Sequence, residues 1–218
     1  MAVRQVSHKG GNLIGHFPSL TMHDLIPFES TIERDYLYLA DHDATILVIA
    51  AQPLTITYEH AGKPARYTPD FYLRTATREV LVECKHHTQV ASDDNVRKFQ
   101  AARTWCAERD WDFCVVTDTD LRRGYRLANV KLLTYYARCA VSAPIHAQLT
   151  NILRARSAAL PLSYLLSSIE GYPSAQVRAG VFHLVFHAQL FMHLDTLPIT
   201  LDTLVSLTPL DRDTLEIV

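Results

Sequence analysis

Glu79-Val-Leu-Val-Glu-Cys-Lys85 is an apolar run that ends on two charges, and Thr68-Pro-Asp70-Phe71 precedes it. Twelve residues separate Asp70 from Glu83, giving the spacing PD-x12-E-x-K. On a strand, side chains alternate between faces, so Leu81, Glu83 and Lys85 share one face and Val80, Val82 and Cys84 share the other. Two residues along a strand cover about 6.6 Å, which sets a carboxylate and an ammonium side by side at its end. Pro69 favours an extended Thr68 and suits the first residue or edge of a strand, bringing Asp70 toward them one hairpin earlier. Two carboxylates and a lysine suit a hard cation: magnesium takes oxygen ligands and keeps waters, leaving positions free for a phosphate. The lysine then holds a water or stabilises charge growing on the phosphate. The same residues also fit an ordinary strand end in which Glu83 and Lys85 are solvated or paired across strands.

Working outward, the pattern is that of an α/β protein. Ser30-Thr31-Ile32-Glu33 has the form of a capping box, and Ile32, Tyr36, Leu39 and Ala40 follow at helical spacing, predicting a helix over 31–41. Glu33 then has two readings: it caps the helix, or it points into the sheet beside Leu37 and Ala40. Strands are expected at 45–50, 54–58, 66–74 and 79–85, with Gly62 in a turn. A helix from 93 to about 110 and a buried strand at 113–117 complete a mixed sheet covered by helices. Residues 1–27, rich in Gly, His and Pro, read as an irregular arm. Beyond 127, helices at 130–139, 144–156, 161–168 and 174–187 precede a possible hairpin of 190–195 with 202–207, the order of a winged helix. The expected division is therefore an arm at 1–27, a core at 28–127 and a mostly helical domain at 128–218.

Composition narrows the class. In 218 residues, 48% are hydrophobic and 20% charged, which predicts a folded chain rather than a disordered one. The charge-free runs 44–58 and 179–194 are shorter than the roughly 20 apolar residues of a spanning helix, so no membrane partner is expected. MAVRQVSHKG lacks the apolar core of a signal peptide, and Cys84, Cys106, Cys114 and Cys139 show no CxxC or zinc-finger spacing. Both features predict a cytoplasmic protein with reduced, buried thiols. A net charge of −2 gives no general attraction for a polyanion. Residues 144–218 hold four basic groups against six acids, so a nucleic-acid patch is expected in the N-terminal part.

Phe28-Glu-Ser-Thr-Ile-Glu33-Arg-Asp-Tyr-Leu37, Gln52-Pro53, Tyr67-Thr-Pro-Asp70-Phe-Tyr72 and Val82-Glu83-Cys-Lys85 occur in this order. Together with Lys98-Phe-x-Ala-Ala-Arg-x-Trp-Cys106 and Phe113-Cys-Val-Val-Thr117-Asp118, they resemble the TnsA family over residues 28–123. These are endonuclease subunits of heteromeric, Tn7-like transposases with a restriction-endonuclease-like PD-(D/E)xK core. The resemblance implies that Glu33, Asp70 and Glu83 are the acidic active-site set, with Asp70 and Glu83 as direct metal ligands and Lys85 as the catalytic lysine. Some family members carry glutamine at the position of Glu83. The implied activity is Mg2+-dependent hydrolysis, with Mn2+ substituting, of one strand of double-stranded DNA at the transposon's 5′ ends. The implied partners are a DDE transposase, which acts on the 3′ ends, and an ATPase regulator. The implied C-terminal domain is a winged helix that contacts that ATPase.

Lys63, Arg66, Arg74, Arg78, Arg97 and Lys98 are candidates for a phosphate-contacting patch, or else an ordinary solvated surface. His86-His87 follows the motif and fits a DNA or metal contact as well as a solvated loop. His183 and His187 have the i, i+4 spacing that zinc uses, but their apolar neighbours favour core histidines. The helix at 174–187 offers only Arg178 as a fixed positive charge, so that domain is expected to dock on protein rather than DNA. The tail at 208–218 is a candidate partner contact. Two alternatives remain: a stand-alone PD-(D/E)xK nuclease of restriction or phage defence, and a non-catalytic DNA- or protein-binding module.

Overall fold

The structure is a computed structural model that describes residues 13–210. The chain divides into two units between Arg122 and Arg123. The first unit begins with β1 (Gly15–Pro18) and β2 (Leu25–Phe28), paired antiparallel, followed by α1 (Thr31–His42). Then come β3 (Val48–Ala51), β4 (Ile56–His60), β5 (Lys63–Tyr67), β6 (Phe71–Arg74) and β7 (Glu79–Lys85). A short 3-10 turn leads to α2 (Asp93–Ala107), β8 (Asp112–Thr117) and the four-residue α3 (Asp118–Leu121).

The main sheet has the order β3-β6-β7-β8. β6 runs antiparallel to both β3 and β7, while β7 and β8 are parallel and joined by the crossover through α2. β7 is buried along both faces, which accounts for its nearly continuous apolar sequence. On one side Tyr36 of α1 stacks on Phe71, with ring centroids 5.7 Å apart. On the other, Leu81 packs with Ile56, Tyr67, Ala102 and Cys106. Each large apolar side chain fully buried here contributes about 1.5–3 kcal/mol relative to an exposed one.

Three local differences from the sequence reading have clear causes. Residues 66–74, expected as one strand, divide at Thr68-Pro69-Asp70: β5 pairs with β4 in a separate hairpin, and β6 joins the main sheet. Pro69 has no N–H to offer a ladder, so the chain changes sheets there. The strand expected from residue 45 starts at Val48, because Asp43 holds a turn through the N–H and hydroxyl of Thr45. Residues 15–27 of the expected irregular arm belong to the β1–β2 hairpin instead. The carboxylate of Asp41 anchors its loop, accepting the backbone N–H groups of Leu20 and Thr21. Residues 1–12 of that arm lie outside the described residues.

The second unit holds α4 (Arg126–Tyr136), α5 (Ala143–Arg156), β9 (Leu160–Pro161), α6 (Leu162–Ser168), α7 (Ser174–Phe186) and β10 (Leu204–Val205). α7 is apolar nearly all round, and Val177, Gly180, Val181, Phe182, Leu184, Val185 and Phe186 are buried, so it forms the core of the unit. A Cβ on Gly180 would lie 3.3 Å from Ile145 and Val141, so glycine permits this close approach. The expected terminal hairpin reduces to one antiparallel bridge, Phe191 with Ser206. β10 pairs instead with β9, which precedes α6. The tail beyond residue 210 lies outside the described residues. No described helix is long and apolar enough to cross a membrane. The cysteines form no disulfide: Cys84 and Cys106 are buried, whereas Cys114 and Cys139 are half-buried rather than fully so.

Candidate active site

The end of β7 brings the charged groups together. Glu83 is 4% exposed, yet both carboxylate oxygens have partners. Lys85 Nζ lies 2.6 Å from Oε1, and the Tyr67 hydroxyl donates to Oε2 at 2.7 Å. Such partners are what make a buried carboxylate tolerable. Burial first and the Glu83 charge second push the Tyr67 phenol far above its ordinary range.

Asp70 sits at the break between β5 and β6. Its Oδ2 accepts the Cys84 backbone N–H at 2.7 Å, fixing it against β7. Burial raises its pKa well above the usual carboxylate range, and the charges of Glu83 and Glu33 raise it further. Glu33 resolves its two readings by serving both. The Ser30 hydroxyl accepts the Glu33 N–H at 3.1 Å, as a cap should. Glu33 Oε2 then accepts the N–H of Glu29 at 2.7 Å, one residue earlier than a capping box requires. Burial raises the Glu33 pKa, with the charges of Glu29 and Glu83 adding to it. Burial alone would lower the Lys85 pKa, but Glu83, Asp70 and Glu33 raise it, so this side chain is an ammonium.

Glu33, Asp70, Glu83 and Lys85 therefore share one electrostatic site, with three acids against one ammonium. Their free lone pairs are hard oxygen donors, and a bound cation would take the place of the protons that burial and mutual repulsion favour on Asp70 and Glu33. This donor set fits Mg2+ or Mn2+. Sequence reading missed three contributors. Tyr67 was signalled by its inward position in the β5 alternation. Gln52 adopts the left-handed region at φ 46°, which turns its side chain to donate to Glu29 Oε1 at 2.9 Å. Its N–H donates to the Asp70 carbonyl at 2.8 Å, and no local pattern signals this role for Gln52 or Glu29.

The proposed phosphate contacts are dispersed. Lys63 and Arg66 are exposed on the β4–β5 hairpin. Arg74 faces Glu79 across β6 and β7, at the end of the sheet opposite Glu83 and Lys85, and Arg78 pairs with Asp112. Arg97 and Lys98 lie on α2 and both pair with Asp94. The His183 and His187 rings are tilted against each other with centroids 4.4 Å apart, and His187 Nε2 lies 2.9 Å from the Ala137 carbonyl. Among the described residues they belong to no group of three metal-ligating side chains, and His193 does not join them.

Residues 43–118 match the family described as TnsA-like endonuclease N terminal. The matched stretch, which runs from the turn before β3 to the start of α3, is thus similar to a TnsA-like endonuclease domain. The match spans Asp70, Glu83 and Lys85, whereas Glu33 lies before it. No curated protein matches the chain. Asp70, just before β6, and Glu83 and Lys85, on β7, are brought close by the antiparallel pairing of β6 with β7.

Proposed function

We propose that the protein is a metal-dependent DNA endonuclease subunit of a Tn7-like transposase, hydrolysing one strand at the 5′ ends of the element. The observation that carries this reading is the meeting of Glu33, Asp70 and Glu83 with Lys85 inside a TnsA-like domain. Asp70 and Glu83 would hold Mg2+ or Mn2+ through lone pairs left free by Cys84, Tyr67 and Lys85. Such an ion would activate a water and neutralise charge on the phosphate. Tyr67 and Lys85 fix the Glu83 carboxylate, while the Cys84 N–H fixes Asp70. Glu33, tied to the Glu29 backbone, adds negative charge that favours the cation. The Lys85 ammonium stabilises charge developing on the phosphate oxygens and holds the attacking water. Lys63 and Arg66 on the exposed hairpin supply phosphate contacts, with Arg97 and Lys98 on α2 once they exchange Asp94 for DNA.

The second unit is read as a winged-helix-like module that docks on an ATPase regulator, with a DDE transposase completing the assembly. In support, α5, β9, α6, α7 and β10 follow winged-helix order, and α7 spends its apolar surface on the core. Residues 144–218 are also net acidic. The test is strand-specific cleavage of end-labelled transposon-end DNA by the protein together with its transposase. Cuts mapping to the 5′ ends and lost in Asp70→Ala are expected. Equal cleavage without the transposase would favour a stand-alone nuclease.

A further inference from the structure

β7 ends at Lys85, which pairs with Thr117 of the parallel strand β8. The residues that follow these neighbours therefore meet: His86 and His87 on one side, Asp118 on the other. Asp118 is 7% exposed, and its Oδ1 accepts the His87 backbone N–H at 2.8 Å. Its Oδ2 faces both imidazoles, 3.4 Å from His86 Nε2 and 3.2 Å from His87 Nδ1. The rings lie against each other with centroids 4.5 Å apart, and one ligand atom from each residue falls within 4.8 Å of the others.

We propose that His86, His87 and Asp118 form a second metal site, for a borderline divalent transition ion such as Zn2+. The site differs from the carboxylate cluster in its chemistry. Two imidazole nitrogens and one carboxylate oxygen select Zn2+ or its neighbours over Mg2+ and Ca2+. With metal–nitrogen bonds of about 2.0–2.1 Å, ligands at tetrahedral corners sit about 3.3 Å apart. The two distances from Asp118 Oδ2 already match that edge. The backbone N–H on Oδ1 orients the carboxylate, and Thr88 Oγ1, 2.9 Å from His86 Nδ1, orients that ring: both are supports typical of a metal ligand shell. A phosphate is disfavoured, because the Asp118 charge faces the same space. Half of each histidine side chain remains exposed, leaving a coordination position for water. A bound ion would tie the segment directly after Lys85 to the start of α3. The proposal does not depend on the nuclease reading.

The experiment is calorimetric titration of the full chain with Zn2+, run in Asp70→Ala protein to remove binding at the carboxylate cluster. One equivalent at micromolar or tighter dissociation constant is expected, weakened at least tenfold by His86→Ala and by Asp118→Asn. The His86 side chain is 47% exposed, so its loss should leave circular dichroism and Tm without zinc unchanged. Asp118→Asn keeps an acceptor for the His87 N–H. X-ray absorption of the zinc complex should report two imidazoles. Absent Zn2+ binding, binding unaffected by His86→Ala, or binding lost only with His183→Ala would each overturn the proposal.

Discussion

Glu83 and Lys85 show how a single site can be charged and buried at once: each supplies what the other lacks, at 2.6 Å. On the proposed arrangement, in which the carboxylates hold the cation, Lys85→Ala should leave Mg2+ affinity within a few-fold of wild type. It should lower turnover by about a hundredfold or more, and metal titration alongside single-turnover cleavage separates the two effects. Asp70 carries the pH dependence. Its carboxyl binds a proton more tightly in the folded chain than in the unfolded one, owing to burial and then Glu83 and Glu33. The proton therefore favours the folded metal-free state in acid, and that contribution is lost as pH rises above the ordinary carboxylate range. Thermal denaturation in EDTA should show this loss, Mg2+ should offset it at neutral pH, and Asp70→Asn should flatten it. A wild-type profile identical to that of Asp70→Asn would contradict the shared site.

Elements differ in how plainly the sequence announces them, and the reason is the range of the forces that define them. α1, β7 and α2 are written locally, in a Ser30 cap, an apolar run and a periodic face, and the structure has them at nearly the expected bounds. Asp70, Glu83 and Lys85 were legible for the same reason, since strand alternation and a short spacing carry them. Residues 66–74 read as one strand because β5 and β6 are both extended; only the pairing partners tell them apart. The β1–β2 hairpin depends on Asp41, about twenty residues from its loop, and Gln52 depends on an unusual backbone angle. Neither leaves a periodic signal. Another long-range feature is Gly124, at φ 63°, where an added Cβ would lie 2.3 Å from the Asp195 carbonyl oxygen. That oxygen also accepts the Tyr125 N–H at 2.8 Å, and Asp195 pairs with Arg126 at 3.0 Å. Gly124→Ala should therefore destabilise the second unit by about 1–3 kcal/mol. Chemical denaturation followed by circular dichroism would measure it, and an unchanged midpoint would show that the segment relaxes freely.

At the scale of the whole chain, charge and chemistry are separated. Residues 1–143 carry equal numbers of fixed charges of each sign and contain the catalytic candidates, while residues 144–218 are net acidic. The division between Arg122 and Arg123 gives a natural truncation point. Truncation there should reduce pull-down of the proposed ATPase partner more than it reduces affinity for transposon-end DNA. The reverse result would move DNA binding into the second unit. The deciding measurement is nicking of supercoiled transposon-end plasmid in Mg2+ or Mn2+ by wild type and Asp70→Ala, each with its active transposase. Nicking by the wild type is expected, with none without metal and none above background from Asp70→Ala. Equal nicking by the two proteins would contradict it.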